Sequence, residues 1–190
     1  MKIGNKFYGK VQDNPIIAAV NHPEKLEQAI QSPCEIVFLM TGSIFDLKNT
    51  VERVKSNGMD IYIHIDLMDG FSKDEVALRY IHDAIKPDGI ITTKANLIKI
   101  AKKLDMFVIQ RLFILDSLSL ETGIKSIHVT KPDAIEILPG IMPKVIQQIH
   151  EETRIPIIAG GLIKDKDDII QSLKAGAIGI STSSPNVWTF

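Results

Sequence analysis

The sequence predicts a compact (β/α)8 TIM barrel. Short β-branched apolar runs recur eight times along its 190 residues, and all but the last are followed by a longer amphipathic stretch that holds most of the charge. That alternation means parallel βα units. The spacing is near-uniform and no antiparallel edge is visible, which favours closure over an open doubly wound sheet.

Taken in order, the chain opens with MKIGNKFYGKVQDN, expected as an N-terminal arm over 1–14. The strands are then PIIAAV from Pro15, EIVFLM from Glu35, DIYIHI from Asp60, GIITT from Gly89, MFVIQRL from Met106, AIEILP from Ala134, PIIAGG from Pro156 and AIGIST from Ala177. Helices are expected at Pro23–Gln31, Ile44–Asn57, Lys73–Ile85, Asn96–Leu104, Ser117–Val129, Pro143–Glu152 and Asp165–Lys174. Pro23 and Pro143 suit first-turn positions, while Gly58 and Gly176 stand where a left-handed C-cap is needed. After the eighth strand only SPNVWTF remains, a short tail over 184–190, so the eighth helix is truncated or missing. The outer face between the eighth and first strands then needs another cover. Either Trp188 and Phe190 with Phe7 and Tyr8 supply it, or the face becomes a homodimer interface.

Composition narrows the function. Apolar residues make up 45% and charged residues 24%, with mean hydropathy +0.10, the balance of a folded single domain over 1–190 and not of a disordered chain. With 22 basic against 23 acidic residues the net charge is -1, so no global positive field advertises nucleic acid or anionic membrane. The single cysteine, Cys34, excludes an intrachain disulfide and a cysteine metal cluster. No signal peptide or membrane span is expected, and the composition fits a cytoplasmic protein.

In this fold ligands bind at the C-terminal ends of the strands, and phosphate commonly binds after strands seven and eight. Strand seven ends in Gly160 and Gly161, where backbone N–H groups are free to approach an anion. Strand eight ends in Ser181, Thr182 and Ser183, which add hydroxyl donors. Together they read as a phosphate cup, the plain structural alternative being a tight turn at the glycine pair. Asp66, Lys94, Arg111 and Glu136 fall at or near other strand tops. They form either an internal ion-pair layer or a ligand mouth in which a cation neutralises an anion and the carboxylates accept from hydroxyl groups. A small polyol phosphate is the ligand that fits. His64, two residues before Asp66 on its strand, reads as a satisfied core histidine and receives no catalytic role. No metal-ligand spacing appears, and no cofactor is expected.

The ordered blocks PIIAAV, VFLMTGSI, IHIDLMDG, GIITTK, FVIQRLFILDS, IEILPGIMPK, PIIAGGLIKDKDD and AIGISTS run through almost the whole chain. This set resembles the glycerol uptake operon antiterminator regulatory protein family. The resemblance implies a transcription regulator that, with glycerol 3-phosphate bound, acts on leader mRNA of a glycerol catabolic operon and promotes read-through of a terminator. By the same resemblance Gly160, Gly161, Ser181 and Thr182 hold the phosphate, and Asp66, Lys94, Arg111 and Glu136 line the mouth.

No RNA-recognition, KH or cold-shock signature is present, so RNA contact must rest on local basic spots. These are Lys99, Lys102 and Lys103, Lys125 and Lys131, and Lys164 with Lys166 beside the cup. The last pair is the candidate RNA contact, because ligand binding at Gly160 and Gly161 would reorder its loop. Two other classes stay open: a small sugar-phosphate isomerase or aldolase-like enzyme using Lys94 or Glu136, and an effector-sensing scaffold whose partner is a protein.

Overall fold

Eight parallel strands close on themselves in sequence order in the computed structural model, which describes residues 3–190. The strands are β1 (Ile16–Val20), β2 (Ile36–Leu39), β3 (Asp60–His64), β4 (Gly89–Thr92), β5 (Phe107–Phe113), β6 (Ala134–Leu138), β7 (Ile157–Gly160) and β8 (Ala177–Thr182). β1 pairs with both β2 and β8, which completes the barrel.

Alternation along each strand divides the apolar residues into two cores. Ile16, Ala18 and Val20 point outward into a shell shared with the helices, whereas Ile17 and Ala19 point inward with Phe38, Tyr62, Ile91, Phe107, Ile109 and Ile158. Both faces are covered, so the strands read as continuous apolar runs and not as alternating ones.

The connecting helices are α2 (Leu26–Ile30), α3 (Leu47–Ser56), α4 (Glu75–Tyr80), α5 (Ala95–Lys103), α6 (Ser117–Thr130), α7 (Pro143–Thr153) and α8 (Lys166–Lys174). α2 follows a 3-10 turn at Pro23–Lys25, and α4 runs on into a π-helical turn at Ile81–Ile85. α3 begins three residues later than the sequence suggests. Asp46 Oδ1 accepts from the backbone N–H (2.6 Å) and hydroxyl (2.9 Å) of Ser43, which holds Ser43–Asp46 in a turn of its own. The caps follow the chemistry of their residues: Asp74, Asp116 and Asp165 each accept from the amide three positions on. Gly58 and Gly176 have φ of +80° and +108°.

The segment expected as an arm is a helix, α1 (Ile3–Asp13), packed under the barrel; the first two residues of that expected arm lie outside the described ones. Phe7 is fully buried, its ring 4.9 Å from that of Phe107 and 5.2 Å from that of Tyr62. Burying a phenylalanine contributes about 1.5–3 kcal/mol. The Tyr8 hydroxyl donates to the Asp133 carbonyl at 2.7 Å, and Lys6 and Lys10 meet the buried Asp60 carboxylate at 2.5 and 2.9 Å. Phe7 and Tyr8 therefore plug the bottom and do not cover the β8–β1 face, contrary to the expectation.

That face is covered from the other end of the chain. Val187 and Trp188 are buried in the outer shell, the indole N–H donating to the Thr182 carbonyl at 2.8 Å. Phe190 is left exposed. No α-helix follows β8 among the described residues, as expected, and the covered face no longer calls for a second copy.

Candidate ligand site at the mouth of the barrel

Register decides which side chains reach the mouth. Arg111 pairs with Glu136 and Glu136 with the inward Ile158, so both charges point to the barrel axis. Arg111 Nε donates to Glu136 Oε2 at 2.7 Å, with the two side chains 9% and 1% exposed. The guanidinium then crosses from β5 to the far wall, where Nη2 meets Met40 Sδ, just beyond β2, at 3.2 Å. A thioether is a weak acceptor. Among the described residues no other protein acceptor takes an Arg111 side-chain N–H, so most of the donor fork has no protein partner.

Gly160 pairs with Ser181, and Ser181 with the inward Ile17, which places both at the mouth. A Cβ at 160 would lie 2.8 Å from Glu136 Oε1, so a side chain there would require the carboxylate held by Arg111 to move. A Cβ on Gly140 would lie 2.7 Å from the Gly160 amide nitrogen, so the loop after β6 presses directly on the end of β7. Gly161 has φ +74° and the following Leu162 has φ +63°, two consecutive left-handed residues that turn the chain sharply away from β7. Thr182 pairs with the outward Ala18, and its hydroxyl donates to the Ile163 carbonyl at 3.3 Å. This corrects the expected cup at Thr182: Ser181 faces the mouth, whereas the Thr182 hydroxyl faces the helix shell.

Asp66 also has a different duty from the expected one. It lies in a 3-10 turn after β3, Ile65–Leu67, and accepts from the Thr92 hydroxyl (2.9 Å), the Thr93 backbone N–H (2.8 Å) and the Thr93 hydroxyl (2.9 Å). Burial raises its pKa, but these donors outweigh that and hold the carboxyl below its ordinary range. Asp66 latches the β3 turn to the top of β4, and its lone pairs are largely taken. Lys94 stands at the N-cap of α5 with its side chain exposed at the rim.

Two groups for which no ligand role is expected from the sequence stand near the turn after β3. Lys73 donates to the Ile65 and Met68 carbonyls at 2.6 and 3.2 Å, clamping the same turn, and burial lowers its pKa. His64 pairs in register with the inward Ile91 and is 3% exposed, yet its Nδ1 has no hydrogen-bond partner. Burial and the Arg111 charge push its pKa down to about 4, so the ring is neutral near pH 7. The satisfied core histidine expected from the sequence is in fact unsatisfied.

With this geometry established, comparison with known proteins is decisive. A model of glycerol-3-phosphate responsive antiterminators matches residues 16–188. The chain belongs to that family. The glycerol uptake operon antiterminator regulatory protein of Listeria monocytogenes strain 4b F2365 superposes with a TM-score of 0.90 at 34% identity, covering 93% of this chain and 95% of the other. A glycerol uptake operon antiterminator-related protein of Thermotoga maritima gives 0.82 at 32%, covering 91% and 96%. An uncharacterized protein of Escherichia coli K12, YgcP, is 41% identical over 179 residues, 94% of each chain.

On this antiterminator barrel, Lys164, in the loop after β7, and Lys166, the first residue of α8, are both exposed and interleaved with Asp165, Asp167 and Asp168. The rim also carries large exposed apolar side chains: Phe45 (92%), Leu67, Phe113, Leu115, Leu118 and Leu162. No described helix is long and apolar enough to cross a membrane. Among the described residues no group of three or more His, Cys, Asp or Glu side chains is placed to hold a metal ion.

Proposed function

We propose that this chain is a cytoplasmic regulator that binds glycerol 3-phosphate at the mouth of the barrel and, so loaded, binds leader mRNA of a glycerol catabolic operon and promotes read-through of a terminator. The observation that carries the ligand half is the Arg111 guanidinium, fixed by Glu136 through Nε while Nη2 meets only a thioether sulfur. A phosphate oxygen is a far better acceptor, and the charge-assisted bond it forms is worth about twice a neutral one. Ser181 and the Gly161 backbone add donors on the β7–β8 side, and Lys94 adds positive charge at the rim. Glu136 fixes the guanidinium and Asp66 fixes the loop that shapes the entrance. No cofactor enters the proposal.

The RNA half rests on family membership and on Lys164 and Lys166. The sharp turn at Gly161 and Leu162 links the phosphate side of the mouth to these lysines, so a ligand there biases the segment that carries them, the loop after β7 and the start of α8. Self-association is part of the proposal, with the apolar rim as the surface that a second copy would cover. The aldolase reading through Lys94 draws no support from the geometry. A Schiff-base lysine is activated by desolvation, and Lys94 is exposed.

The test is leader RNA binding with and without glycerol 3-phosphate across a salt series. Effector-dependent binding is expected, and Lys164→Ala with Lys166→Ala should reduce the salt slope by about 2. RNA affinity that ignores the effector, or that is absent at every salt concentration, overturns the proposal in favour of a scaffold with a protein partner.

A further inference from the structure

We infer that His64 reads the hydroxyl-bearing part of the ligand, so that the mouth selects a polyol monophosphate over bare phosphate. This rests on the effector reading above and adds to it the group that distinguishes the effector from any other small phosphate.

The inference starts from a buried polar atom without a partner. His64 sits on the inward face at the top of β3, nearly sealed from solvent, and its Nδ1 meets no hydrogen-bond partner. Native interiors rarely leave such groups unpaired; of the three buried side-chain atoms without a partner among the described residues, Asp60 Oδ2, Tyr62 OH and His64 Nδ1, His64 is the one on the ligand end of its strand. The charged groups around the ring come from three directions, and each bonds elsewhere. Arg111 reaches in from β5 and is held by Glu136. Asp66, in the turn that follows, is held by Thr92 and Thr93. Lys73, from the segment before α4, is held by the Ile65 and Met68 carbonyls. None of them supplies His64 with a bond.

A neutral imidazole offers one donor nitrogen and one acceptor nitrogen, and an alcohol hydroxyl both donates and accepts, so the two match in either tautomer. An anion bonds best to the Arg111 side of the mouth. A ligand with a phosphate at one end and hydroxyls at the other lays its anion on Arg111 and its hydroxyls toward β3, where the unfilled nitrogen lies. A bare phosphate leaves the histidine as it found it. Discrimination then follows the rule that a site built to hydrogen-bond a hydroxyl rejects the analogue that lacks it.

Calorimetric titration with glycerol 3-phosphate and with inorganic phosphate tests this on the whole chain and on two variants, His64→Leu and His64→Asn, each checked for a native thermal transition. His64→Leu is expected to weaken glycerol 3-phosphate binding by about tenfold, the loss of one net hydrogen bond, while inorganic phosphate changes by less than about twofold. His64→Asn, whose amide also donates and accepts, should recover most of the loss. If His64→Leu does not fold, His64→Phe keeps the ring shape without nitrogens and carries the comparison. Equal losses for both ligands would make His64 a packing residue, and unchanged glycerol 3-phosphate affinity would give it no role; either overturns the inference alone. An unmodified chain that binds neither ligand overturns the effector reading, and the inference falls with it.

Discussion

The Arg111–Glu136 pair allows stability to be separated from binding. Its carboxylate is 1% and its guanidinium side chain 9% exposed, so solvent screens the pair little. Removing one partner strands the other charge in a low-dielectric interior, at a cost of about 3–5 kcal/mol, whereas replacing both with apolar residues of similar size is about neutral or stabilises. The two single changes should differ. Arg111→Met leaves the Glu136 carboxylate beneath Gly160 with no route to solvent and falls at the upper end; Glu136→Leu leaves a guanidinium that can lean into the mouth and falls lower. For a chain of 190 residues each 1 kcal/mol shifts Tm by about 2–4 °C, so Arg111→Met should lower Tm by about 10–20 °C. The double variant should return close to the parent in urea and thermal unfolding, yet bind no glycerol 3-phosphate. Losses that simply add in the double variant, or singles that each cost under about 1 kcal/mol, would refute the reasoning.

Trp188→Ala opens the β8–β1 face and removes the indole bond to Thr182; it should cost about 3–5 kcal/mol by urea unfolding, and a loss below about 1 kcal/mol would show that the tail is not the cover. Gly89→Ala would place a Cβ 2.6 Å from the Phe107 carbonyl and 2.7 Å from the Tyr62 ring, so it should destabilise by about 1–3 kcal/mol or more, whereas an unchanged midpoint would contradict the packing of that aromatic floor. His64 has a folded-state pKa of about 4 against 6.5 when unfolded, so the unfolded chain binds more protons between those values. Its stabilising contribution is full above pH 6.5 and is lost as the pH falls toward 4. Tm measured from pH 7.5 to 4 should therefore drop more steeply for the parent than for His64→Leu, and parallel curves would show that the ring titrates normally.

The strands were legible because both faces are buried, so composition and length sufficed without any period to read. The α1 helix was not: IGNKFYGKVQD carries two glycines and no acidic residue in its first turn, and what holds it is the burial of Phe7 and Val11 under the barrel, a tertiary effect. Within the site, strand alternation alone should have separated Ser181 from Thr182, since adjacent residues of one strand point to opposite faces. An internal ion-pair layer was one of the two alternatives weighed for the four strand-top charges; the Arg111–Glu136 pair is the part of it that forms, and which two of the four would meet was not legible because it depends on register across β5 and β6. Asp66 was misread because its partners, Thr92 and Thr93, are distant in the chain and stand on the neighbouring strand top. His64 was missed for a deeper reason: a sequence shows that a polar residue will be buried, but only coordinates show that it is left without a partner.

The most direct test of a small-phosphate site at this mouth is calorimetric titration of the unmodified chain with glycerol 3-phosphate, with glycerol as the control. One molecule bound per chain, with no heat from glycerol and no conversion of the ligand over time, is the expected result. Absence of binding, or a steady heat of turnover, would contradict it.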